Sequence, residues 1–233
     1  MAEKENYFAV AITRTCGSGG GSYIGKKLAA DYGIDVYDRK LLRLASDNSG
    51  INETIFAGAD EDTKKSLLYR VSKKIYNGQE IPPESGNFLS DQNLYKYQAD
   101  VLRALLEKES YVCIGRAADY VLKDKPNVLS VYLDAPYEWR VERETKRQGI
   151  SAFEAIRYIN RLDKYRESYY TYHTGRKWKD PANYDLCLDT ASLGLDGCVE
   201  LIEHYLRLKF GVEMPRISEL ETIKKESHCS SKL

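Results

Sequence analysis

Residues 9–28 read Ala-Val-Ala-Ile-Thr-Arg-Thr-Cys-Gly-Ser-Gly-Gly-Gly-Ser-Tyr-Ile-Gly-Lys-Lys-Leu. An apolar run feeds a glycine cluster, and the cluster feeds an amphipathic helical pattern. This order of strand, glycine loop and helix constrains the fold more than any other stretch of the chain. It is the layout of a phosphate-binding loop. Glycines let backbone N–H groups approach an anion, and the helix N-terminus adds a favourable dipole.

The rest of the chain continues the alternation. Tyr7 to Thr13 reads as a buried strand and Ser22 to Tyr32 as a helix stopped by Gly33. Ile34 to Tyr37, Tyr111 to Gly115, Val128 to Asp134 and Leu186 to Leu188 read as further strands. Between them fall helices over Arg39–Ala45 (Asp38 as N-cap), Asp91–Glu109, Pro136–Gln148, from Ser151 toward Tyr172, and Asp196–Lys209. Strands alternating with helices predict an α/β fold of three layers, with a mostly five-stranded parallel sheet covered on both faces. One domain is expected over residues 1–210, with a helical insertion at 46–90 and a helical lid at about 149–183. Within the insertion, Asp62 to Tyr76 is the best helix and Asn77 to Ser90 reads as mobile. Residues 211–233 read as a polar, disordered tail.

Composition narrows the function. Lys+Arg and Asp+Glu are both 35, a net charge of zero. That argues against a broad nucleic-acid or membrane surface and leaves room for a local basic cleft. No apolar run approaches the ~20 residues that span a bilayer. The five cysteines are scattered and form no Cys-x-x-Cys pair. Reduced thiols in a cytoplasm, with no signal peptide, are the expectation.

The glycine loop admits two registers against G-x-x-x-x-G-K-[ST]. In the first, Thr15–Ser22, Gly20 matches the second glycine and Ser22 the metal-binding hydroxyl, while Gly21 stands where the lysine belongs. The second, Gly20–Lys27, ends in Lys27 and leaves only a short helix from Lys26 to Tyr32. The first is favoured because the loop then follows the strand directly. The missing lysine leaves Arg14 and Lys26 as the nearest cations, each with a solvated surface charge as its plainer reading.

Two further clusters carry charge suited to phosphate. Tyr111-Val112-Cys113-Ile114-Gly115-Arg116 puts an arginine at the carboxyl end of a parallel strand, where ligands bind in open sheets. Its plainer reading is a structural pair with Asp119. Arg157, Arg161 and Lys164 are spaced i, i+4, i+7 on one helix face, with Asp163 and Arg166 beside them. They suit a cationic lid over transferring phosphoryl groups or, more blandly, a solvated face. Tyr158, Tyr165, Tyr169 and Tyr172 form a stripe read as packing. His173, His204 and His228 are isolated and show no metal-ligand spacing.

Taken in order, the glycine loop, Tyr37-Asp38-Arg39, Cys113-Ile114-Gly115-Arg116-Ala117-Ala118-Asp119-Tyr120, Val131-Tyr132-Leu133-Asp134-Ala135-Pro136 and Gly175-Arg176-Lys177-Trp178-Lys179-Asp180-Pro181-Ala182-Asn183-Tyr184-Asp185-Leu186 make the chain resemble the cytidylate kinase-like family. This is a divergent branch of P-loop nucleoside monophosphate kinases, and the resemblance covers about residues 7–209. It implies transfer of phosphate from ATP, with Mg²⁺, to a pyrimidine monophosphate such as CMP or dCMP, so the partners are small-molecule nucleotides. Carried over by motif, Gly17, Gly19, Gly20 and Ser22 match the loop that holds the donor phosphates, with Ser22 also toward Mg²⁺; Ser18 and Gly21 lie between them and are counted in the same loop. Arg161, Lys164 and Arg166 fall on the lid's basic positions as catalytic cations, and Arg14, the nearest cation at the strand exit, is read from the residues alone as a fourth. Asp38, Arg43, Arg116, Asp119 and Asp163 fall at the acceptor site. The chain departs from the pattern at Gly21, at Ala117 (an aspartate in the family) and throughout 46–90. The alternatives are a nucleotide-binding regulatory module without turnover and a kinase for a non-nucleotide acceptor.

Overall fold

A computed structural model describes residues 7–38, 71 and 91–212. The expected helix Arg39–Ala45 with Arg43, the 46–90 insertion apart from Val71, and the tail beyond Val212 lie outside the described residues.

The central strand is β1 (Ala9–Arg14), buried along nearly its whole length. Its Ala-Val-Ala-Ile run has no polar face, as a strand covered on both sides requires. It pairs in parallel with β3 (Tyr111–Ile114), Ala9 opposite Tyr111, and with β4 (Val128–Asp134), Ala9 opposite Val128. β2 (Asp35–Tyr37) flanks β3, and β5 (Leu186–Asp189) flanks β4. The order β2-β3-β1-β4-β5 is parallel throughout. β1 therefore stands where the strand order reverses, the place in open α/β sheets where a crevice opens at the carboxyl ends.

Helices cover both faces. Val10 and Ile12 meet Ile24 and Leu28 of α1 (Gly20–Tyr32), together with Val199, Ile202 and Leu206 of the last helix, α6 (Thr190–Phe210). Ala9 and Ala11 face Leu102 and Leu105 of α2 (Asp91–Leu106), with Val121 of the short α3 (Ala118–Val121). Strand alternation separates the two sets. α6 starts six residues earlier than the periodicity predicts. Asp189 caps Ala191 N–H, and the non-helical Gly194 kinks the added turn, so the apolar pattern emerges only beyond it.

α4 (Tyr137–Gln148) ends at Gly149, and α5 (Ala152–Thr174) starts with a capping box between Ser151 and Glu154. Ala155 and Ile159 of α5 are fully buried. Further along, Tyr170 joins Trp178, Tyr184, Tyr132 and Ala117 in a third apolar cluster at the sheet edge. Among the described residues no helix is long and apolar enough to cross a membrane.

Candidate functional site

The loop after β1 is fixed from three sides. Thr15 N–H donates to Leu133 O (3.0 Å), and Thr15 Oγ1 to Asp134 Oδ1 (2.7 Å). Ser18 Oγ closes back on Thr15 O, and Thr190 Oγ1 donates to Ser18 O. Cys16 is held at both ends of its peptide: its N–H donates to Asp163 Oδ1 (2.6 Å), and its carbonyl accepts from Arg140 Nη1 (3.1 Å). Arg140 also pairs with Asp163 at 2.6 Å, with side chains only 6% and 13% exposed. Helices α4 and α5 thus grip the loop through one buried ion pair.

Within this frame the chain needs glycine twice. Gly17 has φ +81° and packs against the Arg140 backbone, and Gly19 has φ +76° and precedes α1. The left-handed region is costly for any residue with a Cβ. α1 begins at Gly20, so residues 20–27 are already helical and the loop is the 15–22 register. Gly19 offers no capping side chain, and the first turn carries no acidic residue. Among the described residues the N–H groups at this helix end have no side-chain cap, and the dipole lies behind them, an arrangement suited to cradle an anion. Ser22 stands exposed in this first turn. Among the described residues no group of three His, Cys, Asp or Glu could hold a metal. A divalent ion here would lean on Ser22 Oγ and on phosphate oxygens, which suits Mg²⁺. Lys26 is exposed on α1, and Lys27 pairs with Asp31.

Beside the cradle, a cavity of about 110 Å³ opens at the carboxyl ends of β1 and β3. Arg14, Arg116 and Arg166 line it, with Tyr165, Tyr169 and Trp178 among its walls. Arg116 follows Gly115 and precedes Ala117, and all three have positive φ (81°, 61°, 51°). Two non-glycine residues in this region cost on the order of 1–3 kcal/mol each, strain found where a side chain must be aimed. Arg116 Nε is buried with no hydrogen-bond partner among the described residues, and its guanidinium lies 5.4 Å from the Tyr169 ring centre. The pairing of Arg116 with Asp119 does not form. Asp119, 5% exposed, accepts instead from Thr13 Oγ1 (3.3 Å) and Tyr170 Oη (2.6 Å). Burial pushes its carboxyl above the ordinary range. Burial, and then repulsion from Arg166, pull the Arg14 guanidinium down to about 10, and Asp38 at the end of β2 acts against that shift.

Helical geometry separates the charges of α5. Leu162, Tyr165, Arg166 and Tyr169 line the cavity. Arg157, Arg161 and Lys164 are exposed on the outer side, Arg161 against Tyr158 and Arg157 against Phe153. The i, i+4, i+7 spacing puts these three on one face, and packing of Ala155 and Ile159 turns that face outward. Arg166 instead reaches Arg14 O (3.2 Å) and stands 3.9 Å from Asp163. Sequence reasoning missed Arg140 and Arg143 on α4. A Cβ on Gly19 would fall on the Arg143 guanidinium, so this arginine crosses the cradle; its Nε is buried without a partner among the described residues, and it lies 5.2 Å from the Trp139 ring centre. The only signal was two arginines one turn apart after β4, in a helix full of charge.

The chain is 26% identical over 200 residues to a cytidylate kinase of Methanopyrus kandleri, covering 84% of this chain and 93% of that one. It is 32% identical over 142 residues to a cytidylate kinase of Thermococcus kodakarensis, covering 56% and 72%. A crystal structure of an uncharacterized protein from Eubacterium ventriosum is similar at 25% identity and a TM-score of 0.63, covering 86% of this chain and 98% of that one. A model of the cytidylate kinase-like family matches residues 9–192. The chain therefore belongs to the cytidylate kinase-like family.

Proposed function

We propose that the protein transfers a phosphoryl group from ATP to a small acceptor, with a pyrimidine nucleoside monophosphate (CMP or dCMP) as the first choice. The observation that carries this is the uncapped, acid-free N-terminus of α1 opening beside a cavity with three arginines. The cradle suits donor phosphates, and the arginine cavity suits an anionic acceptor.

In this reading the N–H groups of residues 17–22 and Arg143 bind the donor phosphates. Ser22 Oγ is the protein group toward Mg²⁺, which when bound neutralises phosphate charge. Arg116, its Nε without a partner among the described residues, binds the acceptor phosphate bidentately. Arg166 neutralises charge on the transferring group, and Tyr169 offers a flat surface to the acceptor. An acceptor oxygen forms its bond to the γ-phosphorus as the bond to the bridging oxygen breaks. The electron pair leaves on ADP, and the acceptor's phosphate oxygen needs no base. Positioning and charge neutralisation do the work. Arg161 and Lys164, exposed on α5, have a role here only if substrate draws that helix inward. Asp163 and Asp119 act by holding Arg140 and Tyr170.

The test is phosphoryl transfer across a panel of nucleoside monophosphates, with nucleotide binding by calorimetry. CMP or dCMP is expected to give the highest kcat/KM, and Arg116→Ala to raise the acceptor KM while leaving ATP affinity intact. Binding without turnover on any acceptor would overturn the kinase reading and leave a nucleotide-binding module, the alternative that glycine at position 21 favours. Turnover only on other acceptors would reassign the substrate.

A further inference from the structure

Position 21 lies one residue inside α1 and is not among the glycines with positive φ. The backbone there does not require glycine, which is a poor helix former. What a side chain there would meet is Arg14. A Cβ on Gly21 would stand 2.8 Å from Arg14 Cδ and Nε. Further along the same side chain, a Cβ on Gly115 would stand 2.8 Å from Nη1. The first turn of α1 and the end of β3 thus each present a glycine to one guanidinium. Arg14 lines the cavity shared with Arg116 and Arg166, and its own carbonyl accepts from Arg166. At neutral pH it stays protonated, since burial and Arg166 lower it only to about 10. Like charges gathered at a partly buried site repel one another until an anion enters.

We propose that Arg14 supplies, from the end of β1, the cation that the G-x-x-x-x-G-K-[ST] pattern places at position 21, and that glycine at 21 is the space made for it. Loss of the lysine is then a relocation of the charge. The assignment rests on the phosphoryl-transfer reading above. An arginine entering from the strand presents a planar fork to phosphate oxygens where a lysine presents a point charge.

The experiment compares Arg14→Met, Arg14→Ala, Gly21→Lys and the double variant Arg14→Ala/Gly21→Lys with the wild-type chain. ATP affinity is read by calorimetry, phosphoryl transfer to CMP by coupled assay, and folding by thermal melts. Arg14→Met is expected to lower kcat/KM by about 100-fold or more, the usual loss of one charge-stabilising group. Gly21→Lys is expected to be impaired too, because Arg14 occupies the room and the new charge adds to the repulsion. The double variant is expected to recover at least about tenfold over Arg14→Ala, a difference of about 1.4 kcal/mol. Arg14→Met with wild-type affinity and turnover, or a double variant no better than Arg14→Ala, would overturn the assignment. Should the wild type bind ATP and transfer to no acceptor, the kinase reading falls, and the assignment is then judged on ATP affinity alone: loss in Arg14→Met with recovery in the double variant upholds it. Turnover that is indifferent to Arg14 upholds the kinase reading and sinks the assignment. No ATP affinity at all would overturn both.

Discussion

Removing the Asp163 carboxylate should loosen the loop after β1 more than any other single truncation at the site. Asp163 accepts the Cys16 N–H at 2.6 Å and pairs with Arg140 at 2.6 Å, with Arg140 only 6% exposed. Asp163→Ala leaves that guanidinium with the Cys16 carbonyl and with Asp134, whose carboxylate is 3.9 Å away. Breaking a buried pair by deleting one partner costs roughly 3–5 kcal/mol, because the surviving charge remains desolvated. The hydrogen bond from Cys16 N–H is lost in the same cut and belongs within that range. For a domain of this size, at about 2–4 °C per kcal/mol, the melting temperature should fall by roughly 6–20 °C. Arg140→Met/Asp163→Ala removes both charges and should cost less than the sum of the two single variants, with coupling of about 1–3 kcal/mol. Thermal and urea unfolding followed by circular dichroism reads all four species. A drop below about 1 kcal/mol for Asp163→Ala, or strict additivity in the cycle, would refute the view that this pair clamps the loop.

Three further expectations concern the same region. Gly17→Ala should destabilise more than Gly19→Ala in urea unfolding. Both incur the left-handed strain of roughly 1–2 kcal/mol, but only Gly17 faces immovable backbone, with the Arg140 carbonyl 3.0 Å from its Cβ, which adds about 1–3 kcal/mol; equal losses would contradict this. Asp119 has its folded pKa raised by burial, so the folded state binds a proton more tightly than the unfolded one. Its contribution is most favourable below the unfolded value and is lost as pH rises through the folded one. Melting temperatures of wild type and Asp119→Asn from pH 4 to 8 should therefore shift in favour of the variant as pH rises, and a wild-type advantage that grows with pH would oppose this. Burial pushes the Cys16 thiol up to about 11, so at pH 8 roughly one part in a thousand is thiolate. Iodoacetamide mapped by mass spectrometry should modify Cys16 far more slowly than the exposed Cys187, and comparable rates would show the loop open.

Local features were legible because local physics sets them. Gly33 and Gly149 end helices in the left-handed conformation, and Ser151 forms the cap expected of it. The strand–loop–helix order needed only neighbours in the chain, and α1 begins at Gly20, directly after the loop that follows β1. The partners within the site did not follow from such signals. Cys16 and Asp163 are 147 residues apart, and Thr13 and Asp119 are 106 apart. Nothing in the spacing of Arg116 and Asp119 showed that Tyr170, from another helix, would take the carboxylate.

The sequence by itself determined that a buried strand runs into a glycine loop and a helix, that the loop lacks a lysine, and that arginines stand at strand ends and along one helix. Periodicity and turn chemistry carry that much, because each depends on residues within a few positions of one another. Only the tertiary structure decided which cations share the cavity. Packing of Ala155 and Ile159 turns Arg161 and Lys164 outward while Arg166 faces in. The parallel register brings Gly115 beside β1, and the first turn of α1 brings Gly21 against Arg14. A missing side chain marks a loss in one dimension; in three dimensions it is also a volume, and here another residue fills it.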